Sequence, residues 1–430
     1  MVCHDNTMEC SGVDKISWKN MFNWRINKCF RNNIIKIKAP RVDKNVIKYT
    51  LDVSEDLNKF FIQKESFIEY MDIKENFDEV PDGILIIPFL CNILPVSWMC
   101  DSKIVINELD KTFYYSIQKI KEVYSKMYPN VEFKGKLIVK NIIDYEIEQN
   151  DKYLSFFSLG VDSTSTVLSN IEKNPLLTTI WGSDIPLEEK NGWNFLQNKI
   201  TEFSNEFELE KLFIKSDFRK LLNAGKLTNK FGKQLNDNWW HGLQHGMSII
   251  SHAVPIAYLF QISNILIASS SSRECEYFGL GEAPCASSLS VDIEFKFCEN
   301  GKVYHDGFEN FRQDKLKIIT NFCDEHTKKL FLHVCWETTG GINCNICEKC
   351  SRTIMGIIAI NHDPNKYGFS INEDVFDNIK ENINEFRNDM INVLFWLDIQ
   401  NTFLENCDYW ANDKNISWFL NLDLELKDMK

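Results

Sequence analysis

Two stretches of the chain carry residue types at spacings that do chemistry. The first is Ser158-Leu159-Gly160-Val161-Asp162-Ser163-Thr164, delivered by the apolar run Tyr153 to Phe157 and followed at once by a helix-like sequence. Gly and Asp make poor core material, and three hydroxyls cluster where the helix should begin. A strand-to-helix turn of this kind is an anion site, because main-chain N–H groups and the helix dipole both favour negative charge there. Ser158, Ser163 and Thr164 add hydroxyl donors. Gly160 is expected to let the backbone approach a ligand and to take angles a side chain forbids. Asp162 suits a phosphate site once a Mg²⁺ stands between the two anions. A capped helix beside an idle loop is the plain alternative. The GxxxxGK[ST] phosphate loop occurs nowhere in the chain.

The second stretch holds Cys335, Cys344, Cys347 and Cys350 in the pattern C-x8-C-x2-C-x2-C, with Arg352 two residues beyond. Four thiolates on tight CxxC turns suit a closed tetrahedral Zn²⁺ site. An iron–sulfur cluster is the rival, since "CNICEKC" also echoes half of a ferredoxin run, although the Cys-Pro end is missing. The other ten of the fourteen cysteines are scattered and read as small buried hydrophobes or idle thiols.

These residues need elements to hold them. After residue 150 short apolar runs ("YLSFF", "LLTTIW", "KLFIK", "NILIAS") alternate with helical stretches, one of them broken near its start by Pro255. That rhythm predicts an α/β fold with a doubly wound parallel sheet, whose ligands bind beyond the C-terminal ends of the strands. Ser269 to Ser272, including Ser270 and Ser271, end one such strand and form either an anion-friendly lip or a polar loop. Residues 1–150 read as a separate α/β module, with an edge strand near its start and a helix over 108–128 carrying Phe113, Ile117, Ile120 and Val123 at helical spacing. Gly83 to Cys100, with Pro88, Asn92 and Pro95, reads as a buried strand followed by a loop rather than a membrane span. Residues 151–365 form the second domain and 366–430 a helical appendix. No internal repeat appears.

Composition narrows the class. Hydrophobic residues at 44% and charged residues at 25% are ordinary for a globular protein. The net charge of -13 argues against a broad nucleic-acid surface. The start shows no apolar segment after a basic one, so a cytoplasmic, reducing location is expected.

"SLGVDS" followed by Thr resembles the SGGxDS pyrophosphate loop of the PP-loop ATP pyrophosphatases, Rossmann-like proteins of the HUP type. Leu159 takes the place of the first of the two glycines. The resemblance implies ATP and Mg²⁺ on Ser158 to Thr164, transfer of AMP to an acceptor oxygen, and release of pyrophosphate. The Cys₄ pattern about 170 residues later narrows the likeness to the 7-cyano-7-deazaguanine synthase-like branch, over roughly residues 150 to 360. In that branch zinc is structural, and a carboxylate or amide acceptor receives ammonia or an amine. Members occur beside antiphage-defence and natural-product genes, which leaves a small-molecule, peptide or protein acceptor open; a homodimer is one possible assembly.

By the same likeness, adenine would lie against Ile180, Trp181 and Ser183 at the end of the following strand, with Asp184 near Mg²⁺ or ribose. Arg273, Arg312 and Lys315 become candidates to neutralise charge at the α-phosphate, with Asp162, Arg273 and Lys315 the expected catalytic set. Each cation could equally be an ordinary surface residue. His245 and His305 are candidate bases or polar contacts, and Arg352 binds phosphate or braces the knuckle. Two other expectations stay open: thiolation through Cys275 or Cys285, and a nucleotide-binding scaffold without turnover.

Overall fold

The computed structural model describes residues 33–270, 291–335, 337, 341–387 and 390–424. Ser271, Ser272, Arg273, Cys275 and Cys285 lie outside the described residues.

The first part of the chain runs through β1 (Ile34–Ile37), β2 (Arg41–Asp43), β3 (Val46–Val53), β4 (Glu65–Met71), α1 (Ile87–Cys100), β5 (Lys103–Asp110), α2 (Lys111–Met127) and β6 (Lys136–Ile143). The second continues with β7 (Tyr153–Phe156), α3 (Val161–Ser169), β8 (Leu176–Trp181), α4 (Lys190–Glu206), β9 (Lys211–Ser216), α5 (His245–Ser251), α6 (Val254–Leu259) and β10 (Asn264–Ala268). Then come β11 (Lys296–Phe297), β12 (Gly301–Asp306), α7 (Arg312–His326), α8 (Glu348–Ala359), α9 (Glu373–Phe386) and α10 (Met390–Leu404); a further helix, Ala224–Leu235, lies between β9 and α5, and short helical turns lie elsewhere.

The strands form one mixed sheet in the order β11-β12-β10-β7-β8-β9-β4-β3-β1-β5-β6, with β2 paired to β3 at its side. From β12 to β9 all neighbours are parallel. The chain starts this block at β7, winds outward through β8 and β9, then returns to β10 and β12 on the other side. The direction of winding therefore switches between β7 and β10, and a doubly wound sheet opens its ligand crevice there. Apolar residues alternate between two cores: Leu212 and Ile214 of β9 join one, Phe213 the other. Helices cover both faces, which is why these strands read as unbroken apolar runs.

β4 joins β9 antiparallel, pairing Ile68 with Ser216, so the sheet passes without a break across the boundary expected at residue 150. β1 is not the edge strand expected near the start; it lies between β3 and β5.

Gly83 to Cys100 is helical, not a strand and loop: a short turn, Asp82–Leu85, leads into α1. Nearly the whole helix is buried, so it lacks the polar stripe that would betray a helical period. Pro88 sits in its first turn, where a missing N–H costs nothing, and Pro95 removes one rung further along. Asn92 is a buried hub rather than a helix breaker. Its Oδ1 accepts from Gln244 at 2.9 Å and Ser248 at 3.0 Å, and its Nδ2 donates to the Pro88 carbonyl at 3.0 Å.

α2 begins at Lys111, three residues later than expected, because 108–110 still belong to β5. Asp110 caps it by accepting from the Phe113 N–H at 2.7 Å. Pro255 starts α6 instead of breaking a longer helix. Among the described residues, no helix is long and apolar enough to cross a membrane.

Candidate functional site

The turn from β7 into α3 lies at the switch point, beyond the C-terminal end of the strand. Its residues divide by direction. Ser158 is exposed and Gly160 and Asp162 are half-buried, whereas Leu159, Val161 and Thr164 are buried inward. Leu159 and Val161 can offer only main-chain N–H groups; the Thr164 N–H already donates to the Gly160 carbonyl at 2.9 Å, and its hydroxyl is buried without a hydrogen-bond partner among the described residues. Ser163 knits the turn together: its Oγ receives the Ser158 N–H at 3.3 Å, meets Ser158 Oγ at 3.2 Å and donates to the Gly160 carbonyl at 3.2 Å.

The expected role of Gly160 is corrected. Its φ is -69°, and an added Cβ would meet nothing nearer than Ser158 Oγ at 3.4 Å. The left-handed residue is Leu159, at φ 60°. A leucine there costs about 1–2 kcal/mol, and the burial of its side chain in the α3–α7–α8 core offsets that cost. Its carbonyl accepts the His333 N–H at 2.8 Å.

Asp162 meets two buried cations carried by α7. Arg312 Nη1 lies 2.7 Å from Oδ2 and Lys315 Nζ lies 3.0 Å from Oδ1. Lys315 also donates to the carbonyl of Ser269 at 2.5 Å, which links the end of β10 to the same group. Burial works to raise the Asp162 carboxyl, but Arg312 and Lys315 outweigh it and hold it at about 2. The three groups carry a net charge of +1 in a chain whose overall charge is -13. Ser270, Asn310, Phe311 and Phe395 line a shallow surface recess beside them. Phe395 belongs to α10, so the C-terminal helices do more than pack: Asp398 accepts the Gln313 N–H at 3.0 Å, and the Arg352 guanidinium lies 4.2 Å from the Phe395 ring centre.

Ile180, Trp181 and Ser183 end β8 and its turn, as expected. The Trp181 ring is taken up by a parallel stack on Trp193, with centres 5.2 Å apart. Between Trp181 and Ser183, Gly182 is obligatory: its φ is 106°, and a Cβ would fall 1.9 Å from the Ser216 carbonyl. Asp184 is exposed at the mouth. Burial pushes both His245 and His333 below the usual histidine range, and Asp184 pulls each partly back. His305 Nδ1–H donates to Asp292 Oδ2 at 2.8 Å, both side chains nearly fully buried.

The four cysteines converge. Their Sγ atoms all lie within 4.8 Å of one another, with Cys335–Cys347 at 3.9 Å and Cys344–Cys350 at 3.8 Å. Thiolates at about 2.3 Å from one tetrahedral ion stand roughly 3.8 Å apart, so the set fits a single metal such as zinc. A multi-iron cluster puts inorganic sulfide between its ligands and needs wider spacing. The Cys347 N–H bonds Cys344 Sγ at 3.2 Å, and Asn345 takes the left-handed turn at φ 64°. Arg352 braces this knuckle through Glu348, 3.4 Å away, and Asn392 at 3.2 Å.

Asn343 escaped the sequence reading. Buried to 2% exposure, its Oδ1 accepts from Val334 and Cys335 at 3.0 and 3.3 Å, and its Nδ2 donates to Leu332 and Gly368 at 2.7 and 3.1 Å. It clamps the first cysteine against the other three. A lone Asn eight residues after that cysteine carries no sequence signal of the role, and neither does Phe395. Compared with known proteins, the chain matches no family model, no curated protein and no solved structure.

Proposed function

We propose that the chain binds ATP through Ser158 to Thr164 and acts as an AMP- and pyrophosphate-forming synthetase or ligase of the PP-loop, 7-cyano-7-deazaguanine synthase-like kind. One observation carries the reading. The turn from Ser158 to Thr164 opens at the switch point of a doubly wound sheet, beside two buried cations that share a single carboxylate. That excess positive charge suits a polyphosphate.

An acceptor oxygen would attack the α-phosphorus, the bond to the bridging oxygen would break, and pyrophosphate would leave with that electron pair. Ammonia or an amine would then attack the adenylated carbon, expelling AMP and losing a proton. Arg312 and Lys315 would hold charge on the departing phosphates, and Ser158, Gly160 and Ser163 would line the turn that receives them. Mg²⁺ carried in on the triphosphate supplies further charge neutralisation; Asp162 offers it only the lone pairs left by its two cations. A structural Zn²⁺ on Cys335, Cys344, Cys347 and Cys350 would fix the segment leading back to the turn.

Leu159 and the occupied carboxylate of Asp162 favour one rival, nucleotide binding without turnover. Calorimetry with Mg·ATP, followed by pyrophosphate release in the presence of a small-molecule and peptide extract of the host, separates the readings. Binding with extract-dependent pyrophosphate supports the synthetase; binding alone supports the scaffold. Absence of binding removes both.

A further inference from the structure

Two turns lie side by side beyond β8 and β9. The strands are parallel neighbours with Trp181 in register with Lys215, and a Cβ on Gly182 would fall 1.9 Å from the Ser216 carbonyl. Lys220 of one turn pairs with Glu188 of the other. Oppositely charged side chains of the two turns can therefore meet. Asp184 and Arg219 are carried by the same two turns, yet their side chains form no ion pair or hydrogen bond among the described residues.

Stacking holds Arg219 in place. Its guanidinium carbon lies 3.5 Å from the Trp240 ring centre, and the His245 ring stands nearly perpendicular to that indole, 5.1 Å away. Trp240 opens a five-residue π-turn, Trp240–Gln244, an uncommon shape that often marks functional sites. Two hydroxyls of α2 pin it, Tyr128 donating to the Gly242 carbonyl and Tyr124 to the Leu243 carbonyl, each at 3.1 Å. The acids near Arg219 in the chain are engaged elsewhere. Asp217 accepts from Gln63 and Ser66 at 2.6 Å and from the Phe67 N–H at 2.9 Å, and Glu188 holds Lys220. A guanidinium flat on an indole keeps its N–H edge free for a planar carboxylate.

Asp184 is the matching acid. Arg219, His245, His333 and Lys349 come from separate elements and all feel its charge, yet none pairs with it. Burial pushes the two histidines toward their neutral forms, and Lys349 stands among Arg312, Arg352 and Asp162. Asp237 and Asp292, the other acids beside this turn, hold His241 and His305. An unpaired cation and an unpaired acid on adjoining turns match a ligand that carries both charges. We infer that Arg219 and Asp184 bind a free α-amino acid, its carboxylate on the guanidinium and its ammonium on the Asp184 carboxylate. Its use rests on the ligase reading above, in which it is the attacking amine. The ammonium gives one proton to solvent and the nitrogen bonds to the adenylated carbon. The bond from that carbon to AMP then breaks, AMP keeps the electron pair, and the second nitrogen proton follows to solvent.

Saturation-transfer NMR on the full chain, without nucleotide, tests the site with three mixtures: the standard L-amino acids, their N-acetyl forms and their amides. One or more free amino acids should bind, and neither blocked form of them should. Arg219→Gln and Asp184→Asn should each weaken that binding at least about tenfold. Both residues are exposed, so the thermal melt should not move, and calorimetry should find Mg·ATP affinity unchanged. No binding of any free amino acid overturns the inference, as does equal binding of the blocked forms. Loss of Mg·ATP affinity in Asp184→Asn also overturns it, since the acid would then belong to the nucleotide. Amino-acid binding in a protein that never releases pyrophosphate would sink the ligase reading and leave this site standing.

Discussion

The main-chain N–H of His333 donates to the carbonyl of Leu159 at 2.8 Å, tying the segment that enters Cys335 to the turn that opens the Ser158–Thr164 site. The bond is reinforced from behind, since Asn343 holds the next two N–H groups, those of Val334 and Cys335. The Cys₄ knuckle and the Ser158–Thr164 turn are thus one mechanical unit, although about 170 residues separate them in the chain.

Stripping metal with a chelator should therefore loosen the turn. Losing a bond of about 1 kcal/mol should speed amide exchange at His333 about fivefold, with parallel loss of protection at Ser158 and Thr164, whose N–H groups bond Ser163 Oγ and the Gly160 carbonyl. Reloading with Zn²⁺ should restore it at one ion per chain, whereas more than one iron per chain together with acid-labile sulfide would contradict the single-ion site. Unchanged exchange at His333 in the metal-free protein would break the proposed link.

Leu159 and the glycines beside it give a second test. Leu159→Gly relieves the left-handed backbone but deletes a buried side chain, so a net loss of about 1–3 kcal/mol is expected in urea unfolding. Gly160→Ala should stay within about 0.5 kcal/mol of wild type, because its backbone is extended and its surroundings are open. Gly182→Ala should fail to fold stably, since its Cβ would fall 1.9 Å from a carbonyl oxygen. A Gly160→Ala variant as damaged as Gly182→Ala would mean the turn is misassigned.

These positions mark what a sequence can show. The Ser158–Thr164 turn and the Cys₄ group were legible because each is local: small residues before a helix, thiols at knuckle spacing. The parallel block was legible from its apolar rhythm. The glycine roles were not, because which residue turns left-handed depends on what packs beneath it, and Leu159 is held by a core built from distant helices. α1 hid for a related reason: burial all round erases the polar stripe that reports a helical period. Asp162, Arg312 and Lys315 were each visible by charge, but their pairing spans 150 residues or more. The same pairing alters what Asp162→Ala means, since that variant strands two buried cations and should cost about 3–5 kcal/mol of stability besides any activity.

Two acids should shape stability against pH with opposite signs. Asp162 is held at about 2, below its ordinary 3.8, so the folded state binds fewer protons than the unfolded one between those values. Its contribution, about 2 kcal/mol, is present above pH 4 and is lost as pH falls toward 2. Asp110 goes the other way: burial lifts it to about 6 against the N–H bonds of Phe113 and Cys298, which lower it. The folded state then holds the extra proton, so stability is full below pH 4 and declines as pH rises through 6. Urea midpoints measured from pH 2 to 8 should accordingly rise and then sag. Asp110→Asn, which keeps a helix cap but cannot ionise, should flatten the sag alone and leave the acid limb intact. A variant profile that still declines between pH 4 and 6 would mean some other buried group takes up that proton.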